Sequence, residues 1–200
     1  METRLDDSED KRLMAALAAG DDLALNRVMQ RWQKPVRTFV LRYLPNESDA
    51  DDLVQETFVR VYKHRTRYEP KGRFSTWLFT IAVNLCRNHA EKMGRRAAEP
   101  LDGAMVSETS RTAPAGIARE HVSDAPGPAD HALAQERAAA VRAAVQDLPA
   151  DLRAAVILSE FEDLSHAEIA DVMGTTPKAV ETRLYRARAA LRGRLARWLR

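Results

Sequence analysis

The chain has 200 residues, and its 31 lysines and arginines against 29 aspartates and glutamates leave a formal net charge of +2. Its one cysteine, Cys86, excludes a disulfide framework and a cysteine-based zinc site, and no apolar run reaches the length of a membrane span. The charged start METRLDDSEDKR does not resemble a signal peptide, so we expect a cytoplasmic protein without direct membrane insertion.

The near-neutral total conceals blocks of opposite charge. Residues 46–56 carry five acidic residues and no basic one, whereas residues 60–96 carry ten basic residues against two acidic ones. The last 24 residues hold seven arginines and one lysine against Glu181 alone. Such blocks predict separate surfaces for separate partners, at least one of them polyanionic.

The spacing of apolar residues in the first half predicts helices. These residues recur at three- and four-residue steps, which indicates helices over about 11–19, 25–44, 49–62 and from Ser75 onward. Pro35 falls inside the second helix and is expected to kink or divide it. No segment alternates with the period of two that a half-buried strand shows, so the sequence predicts an all-α fold.

Residues 97–131 differ in composition from the rest of the chain. They contain no aromatic residue, while four of the nine prolines and three of the eight glycines fall there. Such a segment cannot bury enough apolar surface to offset its ordering entropy. The sequence therefore predicts two small helical domains, 10–96 and 132–200, joined by a flexible linker at 97–131.

The second domain opens with two predicted helices and continues with strong local signals. Ser165 and Glu168 form a capping box at the start of a short helix, which Gly174 is expected to end. Thr176 then caps a longer basic helix with Pro177 at its first position. A short helix, a glycine turn and a longer basic helix predict a helix-turn-helix.

The outward side chains of that last helix suit DNA. Arginine can bind guanine and glutamate can accept from cytosine in the major groove, while the later Arg188 and Arg192 suit phosphates. Two capped helices around a glycine also occur in helical bundles that bind nothing, but the one-sided basic face favours DNA binding. The candidate readers are Lys178, Glu181, Thr182, Arg183 and Arg186.

An acidic helical face precedes the basic segment in the first domain. Its members are Asp49, Asp52, Gln55 and Glu56. They could form a plain solvated face or bind a basic partner protein, but carboxylates on one helix cannot by themselves close an oxygen cage around a metal ion. We expect no metal site, no cofactor and no catalytic residue, and hence no enzyme.

Bases and aromatic rings interleave between Lys63 and Asn88. Sites for single-stranded nucleic acid combine a positive groove with rings on which bases stack. Trp77 is more readily explained as core, whereas Tyr68 in a loop and Asn84 on an apolar helix are harder to explain by packing.

Three segments resemble bacterial sigma-70-family sigma factors, above all the small extracytoplasmic-function (ECF) group. They are DADDLVQETFVRVY, FSTWLFTIAVNLCRN and LPADLRAAVILSEFEDLSHAEIADVMGTTPKAVETRLYRARAAL. The resemblance covers nearly the whole chain outside the linker, in the expected order. It implies a region 2 helical bundle at 10–96 and a region 4 helix-turn-helix at 132–200.

The resemblance also implies a sigma factor that binds core RNA polymerase and directs promoter-specific transcription initiation. The β′ clamp helices would contact Asp49, Asp52, Gln55 and Glu56, and the β flap would contact region 4. The melted −10 strand would contact Lys63, Arg67, Tyr68, Phe74, Thr80, Asn84, Arg87 and Asn88, with Asn84 lining the pocket for an extruded base. The −35 element would contact Lys178, Glu181, Thr182, Arg183 and Arg186.

The chain departs from primary sigma factors at two adjacent positions. Thr80 and Ile81 stand where primary sigma factors carry two adjacent tryptophans, so melting is expected to depend more on capture of an unpaired base than on side chains that wedge the duplex open.

The family implies control by a separate anti-sigma protein. The alternative function is a helix-turn-helix regulator whose N-terminal domain senses a ligand, and that regulator would bind duplex DNA without polymerase.

Overall fold

The computed structural model describes residues 6–98 and 128–198. Within these ranges the chain is helical and contains no strand, which confirms the all-α prediction. Two short 3₁₀ turns, Arg65–Arg67 and Ala196–Trp198, follow the third and eighth helices. The helices are α1 (Asp7–Ala18), α2 (Leu23–Tyr43), α3 (Glu47–His64), α4 (Phe74–Ala98), α5 (Pro128–Gln146), α6 (Ala150–Glu160), α7 (His166–Met173) and α8 (Pro177–Arg194).

Helix α2 lies at the centre of the N-terminal half and packs against α1, α3 and α4. Its apolar stripe is buried, and the Trp32 ring meets the edges of Phe74 and Phe79 at centroid distances of 5.6 and 6.2 Å. Of the two outcomes expected at Pro35, a kink or a division of the helix, the division is wrong, because α2 continues through the proline. Packing on both sides of Pro35 outweighs the one backbone hydrogen bond that a proline removes.

The helix starts in this half use the expected capping chemistry. The Asp6 side chain accepts from the backbone N–H of Ser8, and the Asn46 side chain accepts from that of Ser48. The carboxylate of Asp7 accepts from the backbone N–H of Phe74 at 2.7 Å, which joins α1 to the start of α4. These bonds satisfy donors that a helix N-terminus leaves without partners.

The helix-turn-helix forms as its local signals predict. Ser165 and Glu168 make the reciprocal capping box of α7, and Gly174 ends that helix in the left-handed conformation at φ 61°. The Thr176 hydroxyl accepts from the backbone N–H of Ala179 at the start of α8. Apolar side chains of both helices face inward, and the buried ones include Ile169, Ala170, Met173, Val180 and Leu184.

The two halves pack against each other, a relation that the sequence does not reveal. Helix α4 lies on α7, and α2 lies on α5 and α6. The amide nitrogen of Gln146 donates to the carbonyls of Leu41 and Leu44 at 3.2 and 2.8 Å, and Arg153 donates to the carbonyl of Tyr43 at 2.8 Å. Side chains of the C-terminal half therefore satisfy the carbonyl groups at the end of α2.

Helices extend into both ends of the predicted linker, 97–131. Residues 97–98 belong to α4, and residues 128–131 belong to α5. The remaining part of the predicted flexible linker, 99–127, lies outside the described residues.

Candidate nucleic-acid interface

The acidic face of α3 lies on the N-terminal half. Asp52 and Gln55 are exposed, whereas the Glu56 carboxylate accepts from Nε of Arg60 at 2.9 Å. Asp49 is partly covered, because its Oδ2 lies 3.3 Å from Nε2 of His89 on α4. Of the four predicted residues, Asp52 and Gln55 are therefore the most accessible.

The sequence analysis did not identify Val59, an apolar residue on the same surface. Val59 is 42% exposed and lies four residues after Gln55, on the same side of α3. Val59 lies seven residues after Asp52, a spacing that places both on one helical face and could have indicated this position. An isolated exposed valine is ordinary on protein surfaces, however, so the spacing alone did not single it out. The surface thus combines an aliphatic group with acidic and amide groups.

The aromatic residues around the α3–α4 loop form a packed cluster. Tyr68 meets Phe74 and Trp77 with its ring at centroid distances of 6.0 and 5.0 Å, both edge to face. Its hydroxyl is buried without a hydrogen-bond partner, and burial raises the pKa of Tyr68 to about 12. Phe74 is wholly buried, so in this structure its ring is core and offers no stacking face. Trp77 also packs against the core, as expected.

A polar stripe on α4 remains available to a ligand. Asn84 and Asn88 are exposed, and the partly exposed Thr80 lies one turn before Asn84. The Thr80 hydroxyl donates to the Thr76 carbonyl at 2.8 Å, which orients the side chain along the helix. A spacing of four residues places all three on one face. Lys63 and Arg67, from the end of α3 and the following turn, are also exposed.

The predicted readers on α8 divide into two groups. Lys178, Glu181, Thr182 and Arg186 are exposed. Nζ of Lys178 bonds the carboxylate of Glu181 at 2.7 Å, and this bond holds the pKa of Glu181 below its ordinary value. Arg183 instead turns toward α6, where its Nη2 donates to Oδ2 of Asp151 at 3.1 Å.

Arg87 of α4 reaches the same carboxylate. Its Nη2 donates to Oδ1 of Asp151 at 2.8 Å. One carboxylate therefore holds a predicted −10 contact and a predicted −35 contact. We refer to Arg87, Asp151 and Arg183 as the Asp151 cluster.

Helix α8 also carries an exposed aromatic ring that the sequence analysis did not select. Tyr185 is 76% exposed and lies next to Arg186.

Other kinds of site receive no support from the described residues. Within 6–98 and 128–198, histidine, cysteine and carboxylate side chains do not gather in threes as a metal ion would require. The thiol of Cys86 is buried, and burial raises its pKa to about 12. Among the helices that the structure describes, none has the length and apolar character needed to cross a membrane.

The chain matches two protein-family descriptions. Sigma-70 region 2 matches residues 28–96, and sigma-70 region 4 matches residues 138–191. The first region includes the acidic face and the α4 stripe, and the second includes the helix-turn-helix.

Curated relatives are similar over nearly their whole length. The RNA polymerase sigma-H factor of Pseudomonas aeruginosa is 32% identical over 94% of this chain and 94% of that protein. The ECF RNA polymerase sigma-E factor of Escherichia coli K12 is 34% identical over 91% of this chain and 92% of that protein.

Solved structures share the arrangement of helices. CnrH, in complex with the cytosolic domain of CnrY, is 25% identical with a TM-score of 0.66, over 94% of this chain and 97% of that one. The Bartonella quintana sigma factor RpoE, in complex with the anti-sigma factor NepR, has a TM-score of 0.62 over 86% of this chain and 96% of that one. At 22% identity, that second likeness concerns the fold alone. The chain belongs to the extracytoplasmic-function group of the sigma-70 family of RNA polymerase sigma factors.

Proposed function

We propose that this chain is a sigma factor that binds core RNA polymerase and directs promoter-specific transcription initiation. It recognises the −35 and −10 elements and stabilises the melted −10 strand. The observation that carries the proposal is the combination of an exposed polar stripe on α4 with an exposed polar and basic face on α8, in a chain of this family. Because the proposed function requires binding to core polymerase and promoter DNA, we propose a cytoplasmic location.

Core polymerase is proposed to bind the acidic face of α3. Asp52 and Gln55 are exposed, and Val59 adds an aliphatic contact beside them. A surface of this kind suits the β′ clamp helices if those present basic and apolar side chains, since charge complementarity steers association and apolar burial adds affinity. Region 4, about 132–200, is proposed to bind the β flap.

The −10 strand is proposed to bind along the α4 stripe. An asparagine side chain offers both donors and an acceptor to the edge of an unpaired base, and Asn84 is exposed at the middle of the stripe. Lys63 and Arg67 lie where they can neutralise backbone phosphates. Tyr68 and Phe74 act by supporting this surface from the core side, since their rings pack against each other.

Melting is proposed to draw its energy from binding. The family is not an enzyme family, and the mechanism we propose breaks no covalent bond. An extruded base held by Asn84 and phosphates held by basic side chains favour the unpaired strand over the duplex. Thr80 and Ile81 stand where primary sigma factors carry tryptophans, so capture rather than wedging would supply most of this preference.

The −35 element is proposed to bind the outer face of α8. Arg186, Lys178, Glu181 and Thr182 are exposed on that helix, whose first turn would enter the major groove. An anti-sigma partner is proposed to cover either this face or the acidic face of α3. Two similar solved chains are in complex with a second protein, which for RpoE is named as an anti-sigma factor, and this supports the class of partner.

Run-off transcription with core polymerase tests the proposal. We expect the purified chain and core enzyme, without added ligand, to initiate at promoters mapped after overexpression of the chain. An Asp52→Lys variant should lose transcription, whereas Asp171→Asn, an exposed change on α7, should keep it. A chain that binds duplex DNA alone and never supports initiation would instead be a helix-turn-helix regulator.

A further inference from the structure

Helix α4 begins without an acceptor side chain at its N-cap position. Arg73 stands immediately before Phe74, the first residue of α4. The preferred N-cap residues accept from a backbone N–H of the first turn, whereas an arginine side chain has no acceptor atom. The helix that carries the proposed −10 stripe must therefore take an acceptor from elsewhere in the chain or from solvent.

Asp7 of α1 supplies this acceptor. Its Oδ1 accepts from the backbone N–H of Phe74 at 2.7 Å, across 67 positions of the sequence. Its Oδ2 lies 2.8 Å from Nζ of Lys11, one turn further along α1. A negative charge beside the N-terminus of α4 also interacts favourably with the helix dipole. The carboxylate thus has one oxygen engaged within α1 and the other at the start of α4.

The surroundings of Asp7 favour its ionised form. Burial raises its pKa, but the bonds from Lys11 and from the backbone of Phe74 outweigh this effect, together with the positive charge of Arg73. The pKa of Asp7 is therefore held below its ordinary 3.8. Near neutral pH Asp7 is a charged acceptor, which bonds a backbone N–H more strongly than a neutral acceptor does.

The segment between α3 and α4 meets α1 at the same place. Helix α1 packs against the 3₁₀ turn Arg65–Arg67. The Tyr68 ring packs against Phe74, and burial, followed by the nearby charge of Asp7, raises the pKa of Tyr68 to about 12. The basic turn and the first residue of α4 are therefore both supported by α1. These are the two parts between which the proposed −10 strand would lie.

We propose that Asp7 is a positioning residue for the −10 strand, which fixes the start of α4 and the preceding basic turn against α1. The inference rests on the proposed function. Asp7 lies outside residues 28–96, which match sigma-70 region 2, and it acts through Phe74 without touching DNA. If the binding arrangement is present in only a fraction of molecules, the apparent Kd rises by the inverse of that fraction.

Hydrogen exchange at the Phe74 amide measures the Asp7 bond without DNA. In the full chain, followed by NMR, we expect this amide to be protected in the wild type. Loss of a cap bond corresponds to about a twofold to thirtyfold change in a local equilibrium, so Asp7→Ala should lower the protection by such a factor. The matched control is Asp22→Ala, because Asp22 is an exposed residue at the start of α2 whose side chain makes no cap bond.

Strand binding by the holoenzyme measures the consequence for function. The probe is a labelled single-stranded oligonucleotide that carries the non-template −10 sequence of promoters mapped after overexpression. Asp7→Ala should raise the Kd for this strand by about twofold to thirtyfold and leave the affinity for core polymerase unchanged. Asp7→Asn should retain most of the strand affinity, because its amide oxygen can still accept from Phe74, and Asp22→Ala should match the wild type.

The outcomes separate this inference from the proposed function. All variants are compared at a temperature where circular dichroism shows them folded. Unchanged exchange at Phe74 in Asp7→Ala, or equal strand affinities of wild type and folded Asp7→Ala, would overturn the inference, as would Asp7→Asn binding as weakly as Asp7→Ala. Failure of the wild-type holoenzyme to bind the strand would instead overturn the proposed function.

Discussion

Glu168 has two roles that substitution can separate. Its carboxylate accepts from the backbone N–H of Ser165 at 2.8 Å in the capping box, and its other oxygen accepts from Arg73 at 3.0 Å across the interface. Glutamine can still complete a capping box, whereas it lacks the charge that strengthens the bond with arginine. Glu168→Gln therefore tests the interdomain bond, and Glu168→Ala tests both roles.

The expected magnitudes follow from burial. The side chains of Arg73 and Glu168 are 29% and 21% exposed, so solvent screens their bond less than that of a surface pair. A hydrogen bond to a charged group contributes about 1.5–3 kcal/mol to stability. The neutral amide of glutamine can still accept a weaker hydrogen bond from Arg73, so we expect Glu168→Gln to lower the free energy of unfolding by about 1 kcal/mol. Glu168→Ala should cost about 1 kcal/mol more, because it also removes the cap interaction.

The pH dependence gives a second measure. Burial raises the pKa of Glu168, but the bonds from Ser165 and Arg73 outweigh it and hold the pKa below the ordinary 4.5. A carboxylate with a lowered folded pKa stabilises the fold above its unfolded pKa and loses that contribution as pH falls through the folded value. The difference in stability between wild type and Glu168→Gln should therefore be full near neutral pH and vanish in acid.

Urea unfolding of the full chain, followed by circular dichroism, provides the assay. Arg73→Gln should be coupled to Glu168→Gln in a double-mutant cycle, since both changes remove one bond. If Glu168→Gln costs as much as Glu168→Ala, or if the cycle shows no coupling, the interdomain bond does not contribute as described.

Three further predictions concern the proposed nucleic-acid interface and its support. Asn84→Ala should impair open-complex formation without weakening polymerase binding, and unchanged permanganate reactivity of the melted strand would contradict the assignment. Arg186→Ala should weaken the free energy of −35 binding by about 1–3 kcal/mol on promoters with the preferred base and by little on others. Arg192→Ala should weaken binding to all sequences evenly and lower by about 1 the slope of log binding constant against log salt concentration. Titrations of −35 variants at several salt concentrations would show the reverse ranking if these roles were exchanged. Tyr68→Phe should leave stability unchanged or raise it by about 1 kcal/mol, because the buried hydroxyl has no hydrogen-bond partner, and a loss of that size in urea unfolding would refute this explanation.

The helix-turn-helix was predictable because its signals are local. A capping box joins residues three positions apart, and a left-handed residue after a helix is most easily a glycine. Ser165, Glu168, Gly174 and Thr176 form the predicted bonds and conformations for this reason. Helix periodicity likewise identified the buried faces, since it depends only on neighbours along the chain.

Burial of the aromatic residues was only partly predictable. Charge and aromatic content between Lys63 and Asn88 indicate a nucleic-acid surface, but composition does not show on which side of the backbone a ring packs. The structure places Phe74 wholly in the core and packs the Tyr68 ring against it. Asn84 remains exposed because its position on α4 lies away from that cluster.

The sequence by itself determined the helices, their caps, the acidic face of α3 and the basic face of α8. Each of these depends on residues within a few positions of one another. Only the tertiary structure decided that α2 continues through Pro35 and that Asp151 binds both Arg87 and Arg183, partners 64 and 32 positions away. Such features depend on how helices that are distant in the sequence pack together, and periodicity and spacing carry no information about that packing.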